Sequence, residues 1–260
     1  MKKITHQIKV SAEDFLLEFG NIIVFTLKTI RQFFIAPFEF KELIKQGYLI
    51  GNKTFPLVAI TGFIMGLVLT LQTRPVLVDF GAQSMLPGMI AISIIREIGP
   101  VITALLCAGK ISSGIGAELG AMKVTEQLDA MEVSGTKPLN FVVATRVMAT
   151  TILVPVLVFI ADAVGILGSF MAVKMYEKVS VVLFVSQAFD ALTFYDVIPA
   201  TIKTVFFGFF IGLIGSYKGY NASRGTESVG LAANSAVVTA SLVIFVIDLI
   251  AVQFSELLFA

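Results

Sequence analysis

Five stretches of this chain are apolar for long enough to cross a lipid bilayer, and nothing else constrains its fold as tightly. They run from about 54 to 74, 88 to 109, 141 to 173, 197 to 217 and 229 to 256, against the roughly 20 apolar residues that traverse a ~30 Å hydrocarbon core. Inside such a core every backbone N–H and C=O must find a partner within the chain, so runs of this length must be helices. Pro56 and Pro199 fall in first turns, where a missing N–H costs little. The 141–173 stretch would reach about 50 Å at 1.5 Å per residue. It is expected to tilt, to kink at Pro155 or to begin outside the membrane. With 57% hydrophobic and only 14% charged residues, against the roughly 25% charged of soluble domains, the chain reads as an all-α integral membrane protein.

Several functions are excluded early. A formal net charge of +1 offers no basic surface for nucleic acid, and Cys107 as the single cysteine rules out an intrachain disulfide or a cysteine-rich metal site. The single histidine, His6, lies in the polar N-terminal stretch, so a histidine-based zinc centre or catalytic triad has no material. Lys2 and Lys3 are followed by Glu13, Asp14 and Glu18 rather than by the apolar core of a secretory signal. This places the N-terminus in the cytosol. Fourteen lysines and arginines then fall on the inner side, against Arg74, Lys174, Lys178 and Lys203 on the outer side. The positive-inside rule supports that orientation, with the C-terminus outside.

Residues 15–36 carry Glu18, Asn21, Lys28, Arg31 and Gln32 on one helical arc, with Phe15, Phe19, Ile23, Leu27, Ile30 and Phe34 opposite. That pattern predicts an interfacial helix lying in the plane of the membrane and ended by Pro37. The expected organisation is a cytosolic N-terminus with this elbow helix over 1–53 and a permease-like domain of five spans over 54–260. Between the second and third spans, Gly116–Glu132 reads GAELGAMKVTEQLDAME. At about 100° per residue, Ala117, Ala121, Val124, Leu128 and Met131 share one arc, and Glu118, Met122, Thr125, Asp129 and Glu132 share the next, with Glu126 beside them. Two readings fit this spacing: a surface helix with a solvated face, or a coupling helix over about 114–132 that presents carboxylates to a soluble partner.

Arg96, Glu97, Asp162 and Asp248 lie within the spans, where ionisable groups are expensive and face cavities or partners. Glu97 precedes Pro100 in IREIGP, so a charge sits beside an expected kink where a headgroup or proton could be met. Arg96 and Glu97 point about 100° apart. Arg96 is therefore expected to pair with Asp248 or Asp162. Gly62 with Gly66 and Gly208 with Gly212 have GxxxG spacing, which permits close helix approach within the chain or across a dimer. Gly109-Lys110 lacks the upstream glycine of a phosphate-binding loop, and Gly114, Gly116 and Gly120 have the wrong spacing for a dinucleotide fingerprint. ATP, if used, is bound by another chain.

The block IREIGPVITALLCAGKISSGIGAELGAMKVTEQLDAME and the later GYNASRGTESVGLAANSAVV over 219–238 resemble the MlaE-type permeases of bacterial lipid-transport ABC systems. Length and span order agree, so the resemblance covers nearly the whole chain. It implies a homodimeric permease in the bacterial inner membrane with a periplasmic C-terminus. Each half would have an interfacial helix, five spans and a cytosolic coupling helix between spans 2 and 3. Its partners would be two cytosolic ATPase subunits that bind ATP and Mg, a periplasmic MCE-domain protein and a small STAS-type accessory protein. It further implies that Glu126 and Asp129, supported by Glu118 and Thr125, dock on the ATPase. A phospholipid cavity between the halves would be lined by Leu69, Gln72, Val76, Leu77 and Glu97. Ser223-Arg224 departs from the small residues usual in the second signature.

Two rival functions keep distinct signatures. A proton-coupled secondary carrier would use the membrane carboxylates as a relay, but five spans without an inverted repeat fit it poorly, and it gives the acidic helix no task. A membrane-embedded lipid enzyme would need a nucleophile or metal set, and the sequence has neither paired histidines nor a GxSxG elbow.

Overall fold

The computed structural model describes residues 2–33, 39–223 and 225–259, with side chains for 16–33, 39–223 and 225–257. Phe34, Pro37, Arg224 and the side chains of His6 and Phe15 lie outside that set. The described residues form α1 (Lys2–Gln32), α2 (Phe40–Asp79), α3 (Leu86–Ser93), α4 (Gly99–Cys107), α5 (Ser113–Val124), α6 (Gln127–Val133), α7 (Thr145–Lys174), α8 (Val181–Asp190), α9 (Phe194–Tyr220) and α10 (Thr226–Phe259). Five helical runs are long and apolar enough to span a bilayer: Phe40–Asp79, Gln83–Val124, Leu139–Lys174, Phe194–Tyr220 and Thr226–Leu257. All five expected spans are therefore present, and α7 runs through Pro155 as one helix. The 53/54 boundary expected from sequence falls inside α2, which continues across it without a break.

Between apolar helices in lipid, hydrophobicity supplies little attraction, so close backbone approach must supply it. Small residues mark each seam. On α2, a Cβ at Gly62 would meet the Ala161 carbonyl and one at Gly66 would overlap the Gly165 carbonyl on α7. Within the same seam Thr70 donates to Ser169 across 2.7 Å. On α9, Gly208 and Gly212 admit Thr150 and Val147 of α7, while Gly215 admits Ser112. Both GxxxG pairs thus serve packing inside the chain. The two segments that carry the family resemblance also meet each other: Gly219 lies on Gly116, and Gly116 faces Ala232, Ala233 and Ala236.

The C-terminal ends of α2 and α7 are tied by Arg74, which bonds Glu177 at 3.1 Å and lies 4.5 Å over the Tyr176 ring. At the opposite end α1 lies against α9 through Glu18 and Phe25. Phe25 stacks edge-on against Tyr217 at 5.4 Å, and Glu18 pairs with Lys218. Glu18 thus reaches Lys218 while its side chain stays 43% exposed. Leu16, Phe19, Ile23, Leu27 and Ile30 remain exposed, as an interfacial helix requires. The short helix α8 was not expected from the sequence. Ser180 caps it by accepting from the Leu183 N–H, and Phe184 and Ala188 bury it.

Candidate functional site

Two polar regions stand out, and one helical run joins them. Gln83–Val124 is continuous from the α8 end of the bundle to the α5–α6 end. It contains two wider π turns, Ile94–Ile98 and Ala108–Ser112. The first has a local cause. Pro100 has no N–H to offer the Arg96 carbonyl, and the ladder shifts register, with the Gly99 N–H donating to the Ile94 carbonyl. Such turns occur often at functional positions, and this one carries Arg96 and Glu97.

Lys203 of α9 organises the region around Glu97. Its ammonium is 2.6 Å from Glu97 Oε2 and 2.9 Å from Asp248 Oδ1, and its side chain is 3% exposed while that of Glu97 is 38% exposed. A lysine at that depth is tolerable only with such partners. Arg96 instead approaches Asp196 at 3.8 Å. Asp196 also closes the capping box of α9, accepting from the Thr193 N–H at 3.0 Å and from its hydroxyl at 2.6 Å. The expected pairing of Arg96 with Asp248 or Asp162 is therefore corrected. Lys203, taken from sequence as an outer-side charge, sits inside the bundle and claims Asp248, and Asp162 Oδ1 has no hydrogen-bond partner among the described residues. A small cavity beside this cluster is lined by Arg96, Glu97, Tyr195, Asp196, Lys203 and Ser255, among others.

The other residues expected to meet a lipid divide by face. Gln72 and Val76 are exposed on α2, with Val76 at 54%. Leu77 is buried and Leu69 packs against the same core cluster as Leu86, Ile90 and Phe184. Leu77 is thus interior, whereas Leu69 is half-buried at the edge of that cluster.

At the opposite end the expected single helix over Gly116–Glu132 is broken. Helix α5 is the end of the second span, and it stops at Val124; Glu126 then takes a left-handed backbone, φ 58°, before α6 begins. A non-glycine residue in that region is strained. The buried face of α5 is Ile115, Gly116, Leu119 and Gly120, so the expected arc through Ala117 and Ala121 is rotated: Ala117 is half-buried and Ala121 exposed. Leu128 anchors α6 in the core. Glu118, Thr125, Glu126, Asp129 and Glu132 are all exposed. Three of these carboxylates are already engaged: Glu118 with Arg146 at 2.8 Å, Asp129 with Lys123 at 2.8 Å, and Glu132 with the Tyr220 hydroxyl at 3.4 Å. The Thr125 hydroxyl donates to the Ala121 carbonyl. The Glu126 side chain has no partner among the described residues.

The chain matches the family model described as Permease MlaE over residues 43–254. It belongs to the MlaE permease family. It is 37% identical over 213 residues to the intermembrane phospholipid transport system permease protein MlaE of Haemophilus influenzae, covering 82% of each chain. A probable ABC transporter permease protein of Rickettsia bellii is 35% identical over 227 residues, covering 87% of this chain and 88% of the relative. One from Synechocystis is 31% identical over 206 residues, covering 79% and 78%. As a multi-pass membrane protein of this family, the chain is a transport permease, and both segments that carried the resemblance lie within the matched region.

Lys203 and Asp196 are the site residues that sequence reasoning missed. The Thr193-x-x-Asp196 spacing was a readable helix start. Counting forward from it would have placed Lys203 more than two turns inside the span rather than at its mouth.

Proposed function

We propose that the chain is the membrane subunit of an ATP-driven transporter that moves phospholipid between the inner membrane and a periplasmic MCE-protein conduit. The observation that carries this reading is the single helical run from Gln83 to Val124. It links a half-exposed carboxylate inside the bundle to an exposed acidic segment at its end, about 40 Å apart at 1.5 Å per residue. A displacement imposed on the α5–α6 segment is transmitted along a rigid element to the Glu97 turn, where the π geometry gives the helix a place to change register.

In this reading the permease works as a homodimer, and a cytosolic ABC ATPase binds ATP and Mg and docks on the α5–α6 segment. Glu126 is the free acceptor for a cationic group there, and Asp129 can exchange Lys123 for one. Gln72 and Val76 face the space between two copies, and Glu97 meets the headgroup. Closure of the ATPases narrows that space and expels the lipid toward the conduit, or draws it in. The family relationship, the five spans and the name of the Haemophilus relative support the phospholipid assignment.

The test is copurification of the chain with its bound proteins, lipid mass spectrometry on the same sample, and lipid transfer by the reconstituted complex. Glu126→Lys should leave the spans folded and reduce ATP-dependent transfer at least about tenfold, since a reversed charge at a docking contact costs 1.4 kcal/mol or more. A fully active Glu126→Lys complex contradicts the docking role, and transfer driven by a proton gradient without ATPase would favour a secondary carrier.

A further inference from the structure

Asp162 lies in the middle of α7, 6% exposed, and its Oδ1 is buried without a hydrogen-bond partner. It comes close to the Glu97 turn because residue 99 is glycine. Asp162 Oδ1 occupies the space that a Cβ at Gly99 would need. Beside it is a cavity of about 10 Å³ walled by Pro100, Pro155, Val158, Phe159, Ala200 and Thr204, among others. That space holds one water at most. An ionised carboxylate with an unpaired oxygen is costly in such apolar surroundings, and a neutral acid is far less so.

The charged groups around it come from three other elements. Helix α9 brings Lys203, which neighbours Thr204 on the cavity wall. The Ile94–Ile98 turn brings Arg96 and Glu97, of which Arg96 is directed to Asp196, and α10 brings Asp248. Helix α2, which approaches through Gly62, has no titratable residue between Lys53 and Arg74. Lys203 has three N–H donors. Two are spent on Glu97 and Asp248, so Lys203 and its two carboxylates already carry a net charge of −1 inside the bundle.

We propose that Asp162 is a proton-binding site and the alternative partner of Lys203: it keeps its proton while Glu97 holds the lysine and releases it when Glu97 is withdrawn. Ionising Asp162 with Glu97 in place would add a second uncompensated negative charge. Withdrawing the Glu97 charge frees a Lys203 donor, and loss of the Asp162 proton to water at the exposed edge of Glu97 restores the same net charge of −1. A cationic group docking on the half-exposed Glu97 carboxylate is one such withdrawal. The site itself rests on the geometry of these side chains and not on which cargo the permease carries.

The whole chain, carrying ¹³C in its aspartate carboxyls, is reconstituted in phosphatidylglycerol nanodiscs and examined by infrared difference spectroscopy at neutral pH. The wild type should show a protonated aspartic-acid band that Asp162→Asn abolishes. In Glu97→Leu that band should be lost, with a matching gain of carboxylate intensity, and the double variant Glu97→Leu with Asp162→Asn should show no such change. Asp248→Asn removes the same charge from the other side of Lys203 and should bleach the same band, which provides a second route where Glu97→Leu does not fold. Absence of the protonated band in the wild type, or its persistence in either folded variant, overturns the proposal.

Discussion

The α2–α7 seam and the cluster around Lys203 lie in one bundle but are built on opposite terms. In the seam, Gly62, Gly66, Gly165 and Gly168 bring backbones together, the Thr70–Ser169 bond is fully buried, and the Arg74–Glu177 ion pair lies only at its end. Around Lys203, three helices are held by ion pairs, the Glu97 turn is widened, small cavities remain and Asp162 is left unpaired. Close packing gives an interface one arrangement. A buried cation with more carboxylates than it can fully satisfy has several. The contrast assigns rigidity to the seam and change to the cluster, which is where a transporter needs it.

Substitutions that break the contrast should differ in size and kind. Gly66→Leu forces a side chain into the Gly165 backbone and should exceed about 3 kcal/mol, enough to abolish the folded permease. Loss of the monodisperse peak in detergent would record it. Next, Lys203→Met leaves Glu97 and Asp248 without their cation. The cost should be about 3 kcal/mol, at the low end for a broken buried pair because Glu97 keeps solvent contact. The chain has no tryptophan, but its single thiol, Cys107, is buried. Labelling of that thiol on heating therefore reports unfolding, and Lys203→Met should react at a lower temperature than wild type. Thr70→Val should cost about 1 kcal/mol by the same assay, because it strands one buried hydroxyl in an otherwise intact seam. Glu126→Lys should move stability by less than about 0.5 kcal/mol. A thermal shift from Glu126→Lys as large as that from Thr70→Val would remove the distinction between scaffold and lever.

The spans were legible because hydrophobic length is a direct physical requirement of the bilayer, and the glycine pairs were visible for a similar reason. Their partners were not, since spacing gives a face without saying what covers it. The break at Thr125–Glu126 carries no glycine or proline, so nothing in GAELGAMKVTEQLDAME marked the left-handed turn that rotates α6 away from α5. Lys203 was misplaced for a different reason. Counting cations by side treats each lysine as a surface charge, whereas this one is dragged into the bundle by Glu97 and Asp248 on two other helices. Likewise Leu77 could be located on the first span but not assigned to its buried face until its packing with Leu86 and Phe184 was seen. Helix α8, only Val181–Asp190, is too short to announce itself by length.

The proposed function makes the chain passive: its helices would transmit movement, with the work supplied by a partner at the α5–α6 end. Lipid transfer from proteoliposomes holding the chain alone, compared with the same vesicles after the proposed ABC ATPase partner and ATP are added, tests this directly. Transfer that starts only with both additions is the expected result. Vectorial transfer by the chain alone would contradict it.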